Sequence, residues 1–389
     1  MNKSGVYLAN FQIRDLNQII ERDATDTTYK FALLRSVSHV CQIHAPIKEE
    51  NRNVWFPTGY LVEKWLEYYY PIIDSELFIP QKGAEKDLDK PGLKIAFRSL
   101  FKTVTEYYKH RGGFNAFWLD YKKSQIPDDI NSTCIELAKN IWYAITRYPM
   151  KHLGHSVSGE HYTFFDYSRR SVIKRDAPFS QELLLDEFGE FFIDKEFYDT
   201  LRYFGSYISG EYSILNKWIE FSVKADSSGK VKPWYVYEVL NTRPESERDV
   251  DEAKGYYHDL FNERGYLECV WSGTKIRSWS NIQIDHMIPF SIWQNNDLWN
   301  LLPTYRRYNI QKRDLIPSIS LFETRKEQII SYWEVLAEGF RYRFNKEMEI
   351  NLLDKKRQEM SWDSIFEKLV NKCRFLIEVR GFSDWELSV

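Results

Sequence analysis

The chain has 389 residues, and its composition excludes several classes of protein before any motif is considered. Its 53 lysines and arginines nearly balance its 56 aspartates and glutamates, so a strongly basic protein that coats nucleic acid through bulk charge is excluded. Four widely spaced cysteines exclude a disulfide framework and a four-cysteine zinc site. The length predicts two or three domains.

The predicted environment is the cytoplasm. No apolar run approaches the ~18 residues that a membrane span needs, and the first residues lack the apolar core of a signal peptide. Scattered cysteines are typical of a reducing compartment. We therefore expect a soluble cytoplasmic protein with no membrane contact.

Residues 1–165 are predicted to be mostly helical, because apolar residues recur there at a spacing close to 3.6. The aromatic run from Trp65 to Tyr70 is expected to lie in a core or an interface rather than to form a platform for stacking bases. A charged connector is predicted at residues 82–92. Helical patterns cover residues 26–40, 57–71 (ending at Pro71), 93–108 and 134–148.

Two polar stretches in this half are weaker candidates for a site. His152, His155 and His161 resemble a metal cluster, but the glycines and serines between them predict a polar loop, which we favour over zinc binding. The basic pairs at 169–170 and 174–175 are expected to form a solvated connector rather than a contact with nucleic acid or a partner.

The second half changes in character at about residue 221. More helix is predicted over 179–222, and two β-rich runs around a Ser-Ser-Gly turn are predicted within residues 221–240. The helical pattern returns from Val250 to Gly265 and again over residues 321–389. We place domain boundaries near residues 220 and 320.

A compact segment from residue 267 to residue 317 contains the candidate residues of a functional site. Ile282 and Ile284 alternate with polar residues as in a strand that ends at Asp285 and His286, and neighbouring strand residues point to opposite faces. Pro289 then ends strand pairing. Residues 299–302 are predicted to form a second strand, and Thr304 is predicted to cap a helix over residues 305–313. The segment thus predicts a strand–loop–strand–helix unit.

Three separated motifs in this unit resemble the HNH, or ββα-metal, endonuclease family. They are Asp285-His286 with Pro289 three residues after the histidine, Asn300 before two leucines, and Asn309-x-x-Lys312. Their types, order and spacing are similar to those of the HNH nuclease domain of RNA-guided DNA effectors, which also has a late asparagine in place of histidine. The resemblance covers about residues 268–317.

The resemblance implies a role for each matching residue. His286 is expected to be the general base that takes a proton from the attacking water, and Asn300 to support catalysis by holding the loop or orienting the histidine. Asp285 and Asn309 are expected to hold one Mg²⁺ or Mn²⁺, because their oxygen atoms suit hard cations. Lys312 is expected to act at the phosphate.

Helix geometry adds two candidate contacts with the nucleic-acid backbone. Arg306 and Arg313 share a predicted stripe with Asn309, and we expect both arginines to bind phosphates alongside Lys312.

No structural zinc is expected, because Cys269 is the lone cysteine where many family members have a Cys-x-x-Cys pair. Four tryptophans of the segment are predicted to supply the missing stability by packing. They are Trp271, Trp279, Trp293 and Trp299.

The predicted protein is an α+β, predominantly helical nuclease with a small ββα module inside helical regions. Residues 1–220 would sense DNA or bind a partner, residues 221–320 would form the nuclease domain and residues 321–389 a C-terminal helical region. We expect DNA hydrolysis in restriction or anti-phage defence, regulated by the helices through a protein partner or homo-oligomer. Two alternatives stay open: an RNA-cleaving HNH nuclease, and a scaffold subunit that binds nucleic acid without cutting it.

Overall fold

A computed structural model describes most of the chain. The described residues are 13–22, 25–83, 85, 94–153, 164–173, 177–210, 213–244, 248–293, 296–353 and 360–387. His155, His161, the basic pair at 174–175 and most of the predicted connector at 82–92 lie outside them. The chain forms two compact units, residues 1–245 and 246–389. Helices predominate and the sheets are small, in agreement with the predicted α+β class.

The first unit packs helices around one antiparallel sheet. Its strands are β1 (Lys48–Glu50), β2 (Asn53–Pro57), β3 (Phe165–Tyr167) and β4 (Glu190–Asp194), in the order β1-β2-β4-β3. The described helices of this unit are Ile13–Arg22, Tyr29–Ile43, Gly59–Asp74, Arg98–Tyr108, Gly113–Lys122, Asp128–Arg147, Pro149–His152, Gln181–Glu187, Lys195–Ile208, Ile214–Ala225 and Pro233–Asn241.

Aromatic side chains form the centre of the first core. Trp65 packs against Tyr69 and Phe97, with ring centroids 5.4 Å and 6.0 Å away, and Tyr69 also contacts Trp218. All four side chains are buried, so their large apolar area stabilises the fold. The run from residue 65 to residue 70 is therefore a core element, as predicted.

The described part of the second unit combines six short strands with helices. The strands are β5 (Leu267–Glu268), β6 (Lys275–Ile276), β7 (Ile282–His286), β8 (Leu301–Tyr305), β9 (Ile316–Pro317) and β10 (Asp384–Trp385), and they pair as β5–β6, β7–β8 and β9–β10. Its described helices are Asp251–Arg264, Phe290–Trp293, Arg306–Lys312, Ile319–Thr324, Lys326–Gly339, Arg341–Asn351 and Trp362–Arg374, with 3₁₀ turns at Trp279–Asn281 and Leu298–Asn300 and a π-helical turn at Phe375–Val379.

Three local predictions were wrong. Residues 221–240 form the end of one helix and most of another rather than β runs, because Pro233 occupies the first helical position, where its fixed φ favours a helix. The helix Gly59–Asp74 continues through Pro71, where it was predicted to end, and the apolar residues on both sides of the proline are buried. Thr304 lies inside β8, so Tyr305 rather than Thr304 precedes the next helix.

The compact units also divide the chain differently from the predicted regions. Residues 221–244 pack into the first unit, and the tail after residue 320 belongs to the second. Strand β10 near the C-terminus pairs in parallel with β9, which directly follows the predicted nuclease core. No described helix is long and apolar enough to cross a membrane.

Candidate active site

A strand pair and the helix that follows it build the candidate site. Strand β7 pairs antiparallel with β8 so that Asp285 lies opposite Leu302 and His286 opposite Leu301. The helix Arg306–Lys312 begins directly after β8. The strand–loop–strand–helix order predicted for this segment is present, and we call residues 282–312 the site module.

Two buried donors hold the carboxylate of Asp285 at the end of β7. The side chain is 3% exposed; Trp271 Nε1 donates to Oδ2 over 3.0 Å, and Lys312 Nζ lies 3.2 Å from Oδ1. Burying a charge is unfavourable unless the charge is paired and hydrogen-bonded, and both conditions are met here. Asp285 therefore has a defined orientation.

Lys312 is an internal residue. Its side chain is fully buried, and Nζ also donates to the backbone carbonyl of His286 over 2.7 Å. The ammonium thus ties the site helix to both Asp285 and the backbone of the next residue. The structure places it away from solvent, in contrast to the predicted contact with a phosphate backbone, because its charge neutralises the buried carboxylate.

The imidazole of His286 is 1% exposed, and its two nitrogens differ in their surroundings. Nε2 lies 3.1 Å from Asn296 Oδ1. Nδ1 is buried and has no hydrogen-bond partner among the described residues. The edge of the ring approaches Phe290, with ring centroids 5.4 Å apart, so one side of the imidazole lies against an apolar surface.

Burial lowers the pKa of His286 to about 4. The hydrogen bond with Asn296 opposes this shift, and the positive charges of Arg248 and Lys312 add to it. Because the pKa lies well below 7, the imidazole is neutral at neutral pH and gains a proton only as the pH falls to about 4. A neutral imidazole is the form in which histidine accepts a proton.

Asn300 holds the loop that follows the histidine. Its Oδ1 accepts from the backbone N–H of Ile288 over 2.8 Å, and its Nδ2 donates to the carbonyl of Ile288 over 2.9 Å. Its own carbonyl accepts from Met287 N. With its side chain fully buried, Asn300 fixes the chain just after His286.

The remaining predicted residues lie on or next to the helix Arg306–Lys312. Asn309 is half-buried, and its Nδ2 donates to Gln283 Oε1 over 2.6 Å. Arg306 is exposed on the first turn. Arg313 is exposed just beyond the last turn with φ +50°, so it does not continue the predicted helical stripe.

The oxygen atoms of two residues fit a hard divalent cation. Asp285 has a carboxylate whose two oxygens each accept one hydrogen bond and so keep further lone pairs, and Asn309 has an amide oxygen. Such donors suit Mg²⁺ or Mn²⁺. Within the described part of the chain, no group of three or more His, Cys, Asp or Glu side chains is arranged to hold a metal ion.

Other residues that brace the site carry no local sequence signal. Trp271, predicted only to pack, also donates to Asp285. Trp333 donates to the carbonyl of Trp299 over 2.8 Å, and Glu347 accepts from Leu298 N over 2.7 Å. These two contacts hold the turn that carries Asn300 from helices more than 30 residues further along the chain.

Two family models match the chain. Residues 9–240, more than half of the sequence, match a family described as a domain of unknown function (DUF8808). Residues 269–318 match a family described as HNH endonuclease, which supports the predicted resemblance and a nuclease activity. Comparisons with curated proteins and with solved structures gave no match.

Proposed function

This chain belongs to the DUF8808 family, and we propose that it is a metal-dependent HNH endonuclease that hydrolyses phosphodiester bonds in DNA. The observation that carries the proposal is the coincidence of the HNH endonuclease match with a buried aspartate–histidine pair, Asp285 and His286, which hydrogen bonds hold at the end of one strand. Polar groups are rarely buried at adjacent positions unless their arrangement serves the fold or a reaction.

His286 is the proposed general base. Its imidazole is neutral at neutral pH, so it takes the proton of a water molecule as that water attacks the scissile phosphate. Asn300 keeps the loop after the histidine in place during this step. Asp285 and Asn309 would hold the divalent ion, which stabilises the charge that develops on the phosphate and on the leaving oxygen.

Exposed arginines support a short contact with the substrate. Arg306 and Arg313 lie in solvent at the two ends of the site helix, where phosphates of a strand can reach them. The net charge of −3 favours such a local contact over binding through the charge of the whole protein.

Regulation is the proposed task of the first unit. The strand–strand–helix module accounts for the proposed chemistry, whereas the helices of residues 1–245 are not needed to break a bond. An unregulated nuclease would damage the DNA of its own cell. We therefore propose a restriction-type or anti-phage role in which this unit binds a protein partner, a second copy or invading DNA.

Pull-down with neighbouring gene products and size-exclusion chromatography test this regulatory role of the first unit. A constitutively active monomer that binds no partner would contradict it.

A cleavage assay tests the activity. Native protein is incubated with plasmid DNA, single-stranded DNA and RNA, with Mg²⁺, with Mn²⁺ and with EDTA. We expect DNA cleavage that requires the metal and falls about 10²–10⁴-fold in His286→Ala, the range typical of a lost general base.

His258→Ala is the matched control, because His258 is an exposed histidine of the same unit, and it should cut like the native protein. Cleavage of RNA but not of DNA would mean that the substrate is RNA and not, as proposed, DNA. Intact DNA and RNA with every candidate partner present would favour a non-cutting scaffold, and native rates in His286→Ala would remove the mechanism.

A further inference from the structure

One side-chain oxygen near the site receives two hydrogen-bond donors. Asn296 Oδ1 lies 3.0 Å from the backbone nitrogen of Asp249 and 3.1 Å from Nε2 of His286. A backbone N–H only donates, so the atom that faces it must be the carbonyl oxygen of the amide. The contact with Asp249 thus defines the orientation of the Asn296 amide.

The orientation of the Asn296 amide defines in turn which nitrogen of the His286 imidazole carries the proton. Because a carbonyl oxygen only accepts, Nε2 of His286 must carry the proton in their hydrogen bond. A neutral imidazole with its proton on Nε2 has a bare lone pair on Nδ1. Nδ1 is the atom that is buried without a partner among the described residues, so none of these residues engages its lone pair.

The segment that holds Asn296 is itself anchored to the site module. Arg248 Nη2 lies 3.4 Å from the carbonyl of Ile284 on β7. The carboxylate of Asp249 accepts from the backbone N–H of Asp251 at the start of the helix Asp251–Arg264. Residues 248–249 therefore connect the strand that carries His286, the following helix and the side chain of Asn296.

We propose that Asn296 is a positioning residue that holds His286 with its proton on Nε2 and so leaves Nδ1 as the atom that accepts a proton. The proposal rests on the proposed nuclease function for its catalytic consequence. Its structural part, the tautomer of His286, stands without any activity.

Nuclear magnetic resonance of the full chain tests the tautomer directly. The protein is labelled with ¹⁵N on its eight histidines, and His286→Gln assigns the His286 signals by their loss. At neutral pH we expect the native protein to show Nε2 as the protonated nitrogen and Nδ1 as the bare one. In Asn296→Leu, which keeps the size of the side chain but removes the acceptor, we expect the two tautomers to mix.

Kinetics test the consequence in the same variants. Asn296→Leu should lower kcat about 10–100-fold, as is typical when a second-layer hydrogen bond is lost, and should leave KM nearly unchanged. Asn296→Asp keeps an oxygen acceptor of the same shape, so it should restore the native tautomer and most of kcat. Thermal unfolding of each variant identifies a loss that comes from misfolding.

The outcomes separate this inference from the proposed function. A native spectrum and native kcat in Asn296→Leu would overturn the positioning role, as would an Asn296→Asp variant that loses as much as Asn296→Leu. If the native protein cuts no nucleic acid, the proposed function fails, and the spectra of native protein and Asn296→Leu still decide whether Asn296 sets the tautomer.

Discussion

Burial determines what the polar residues at the end of β7 can do. Asp285, His286, Asn300 and Lys312 are each no more than 3% exposed. A buried polar group without a partner is destabilising by about 1–3 kcal/mol, so nearly every polar atom of these side chains has a hydrogen bond. The exception is Nδ1 of His286, which has no hydrogen-bond partner among the described residues.

The two asparagines of the motif should differ in their effect on stability. Asn300→Ala leaves the N–H and the carbonyl of Ile288 buried without partners, so we expect the free energy of unfolding to fall by on the order of 3 kcal/mol. Asn309→Ala removes one half-buried hydrogen bond and should lower it by less than about 1 kcal/mol. Urea unfolding measures both, and an equal loss in the two variants would contradict the loop-holding role of Asn300.

The short helix Arg306–Lys312 has two different faces. Lys312 and Asn309 point toward β7 and hydrogen-bond to its side chains or backbone, whereas Arg306 faces solvent. One element thus contacts Asp285 through Lys312 and exposes the positive charge of Arg306 to solvent. At roughly 100° per residue, Asn309 and Lys312 lie about 60° apart around the helix axis, whereas Arg306 lies about 120° from Lys312.

Removal of the exposed charge should weaken DNA binding without affecting the fold. We expect Arg306→Ala to lower affinity for DNA of any sequence and to reduce the slope of log affinity against log salt by about 1. Fluorescence anisotropy at several salt concentrations measures the slope. Arg374→Ala, which removes a partly exposed arginine on another helix of the same unit, should leave the slope unchanged, and an equal change in both variants would argue against a specific contact.

Residues 269–318, the segment that matches the HNH family, share one hydrophobic core with the C-terminal helices. Trp271 packs edge-on against Phe322 and Trp385, and Trp333 hydrogen-bonds to the carbonyl of Trp299. A module of about 50 residues buries too little apolar area to be stable by itself without staples. In this chain the C-terminal tail supplies part of the packing that stabilises this segment.

A chain that ends after residue 318 should therefore lose the fold of its second unit. Without the tail, the buried faces of Trp271 and Trp299 would be exposed to water. We expect peptides from residues 282–305 to exchange their amide hydrogens rapidly in this truncated chain. Peptides from the first-unit helices Gly59–Asp74 and Asp128–Arg147 serve as the internal control and should keep their protection. Native protection of residues 282–305 would show that the module folds without the tail.

The amino-acid sequence by itself determined the local features of this protein. Strand β7, the order of the site module and the helix Asp251–Arg264, which ends at the left-handed Gly265, follow from short-range periodicity and turn chemistry. Prediction from the same rules failed over residues 221–240, whose β-branched and aromatic residues favour strands locally but form helices in the first core.

Only the tertiary structure decided how the site residues are held. The burial of Lys312, the donor from Trp271 and the link from Asp249 through Asn296 to His286 join segments that are 10 to 47 residues apart. No local period encodes such partners, because they depend on which surfaces meet when the core packs. The motif thus specified the candidate site residues, and packing specified their neighbours, charge state and orientation.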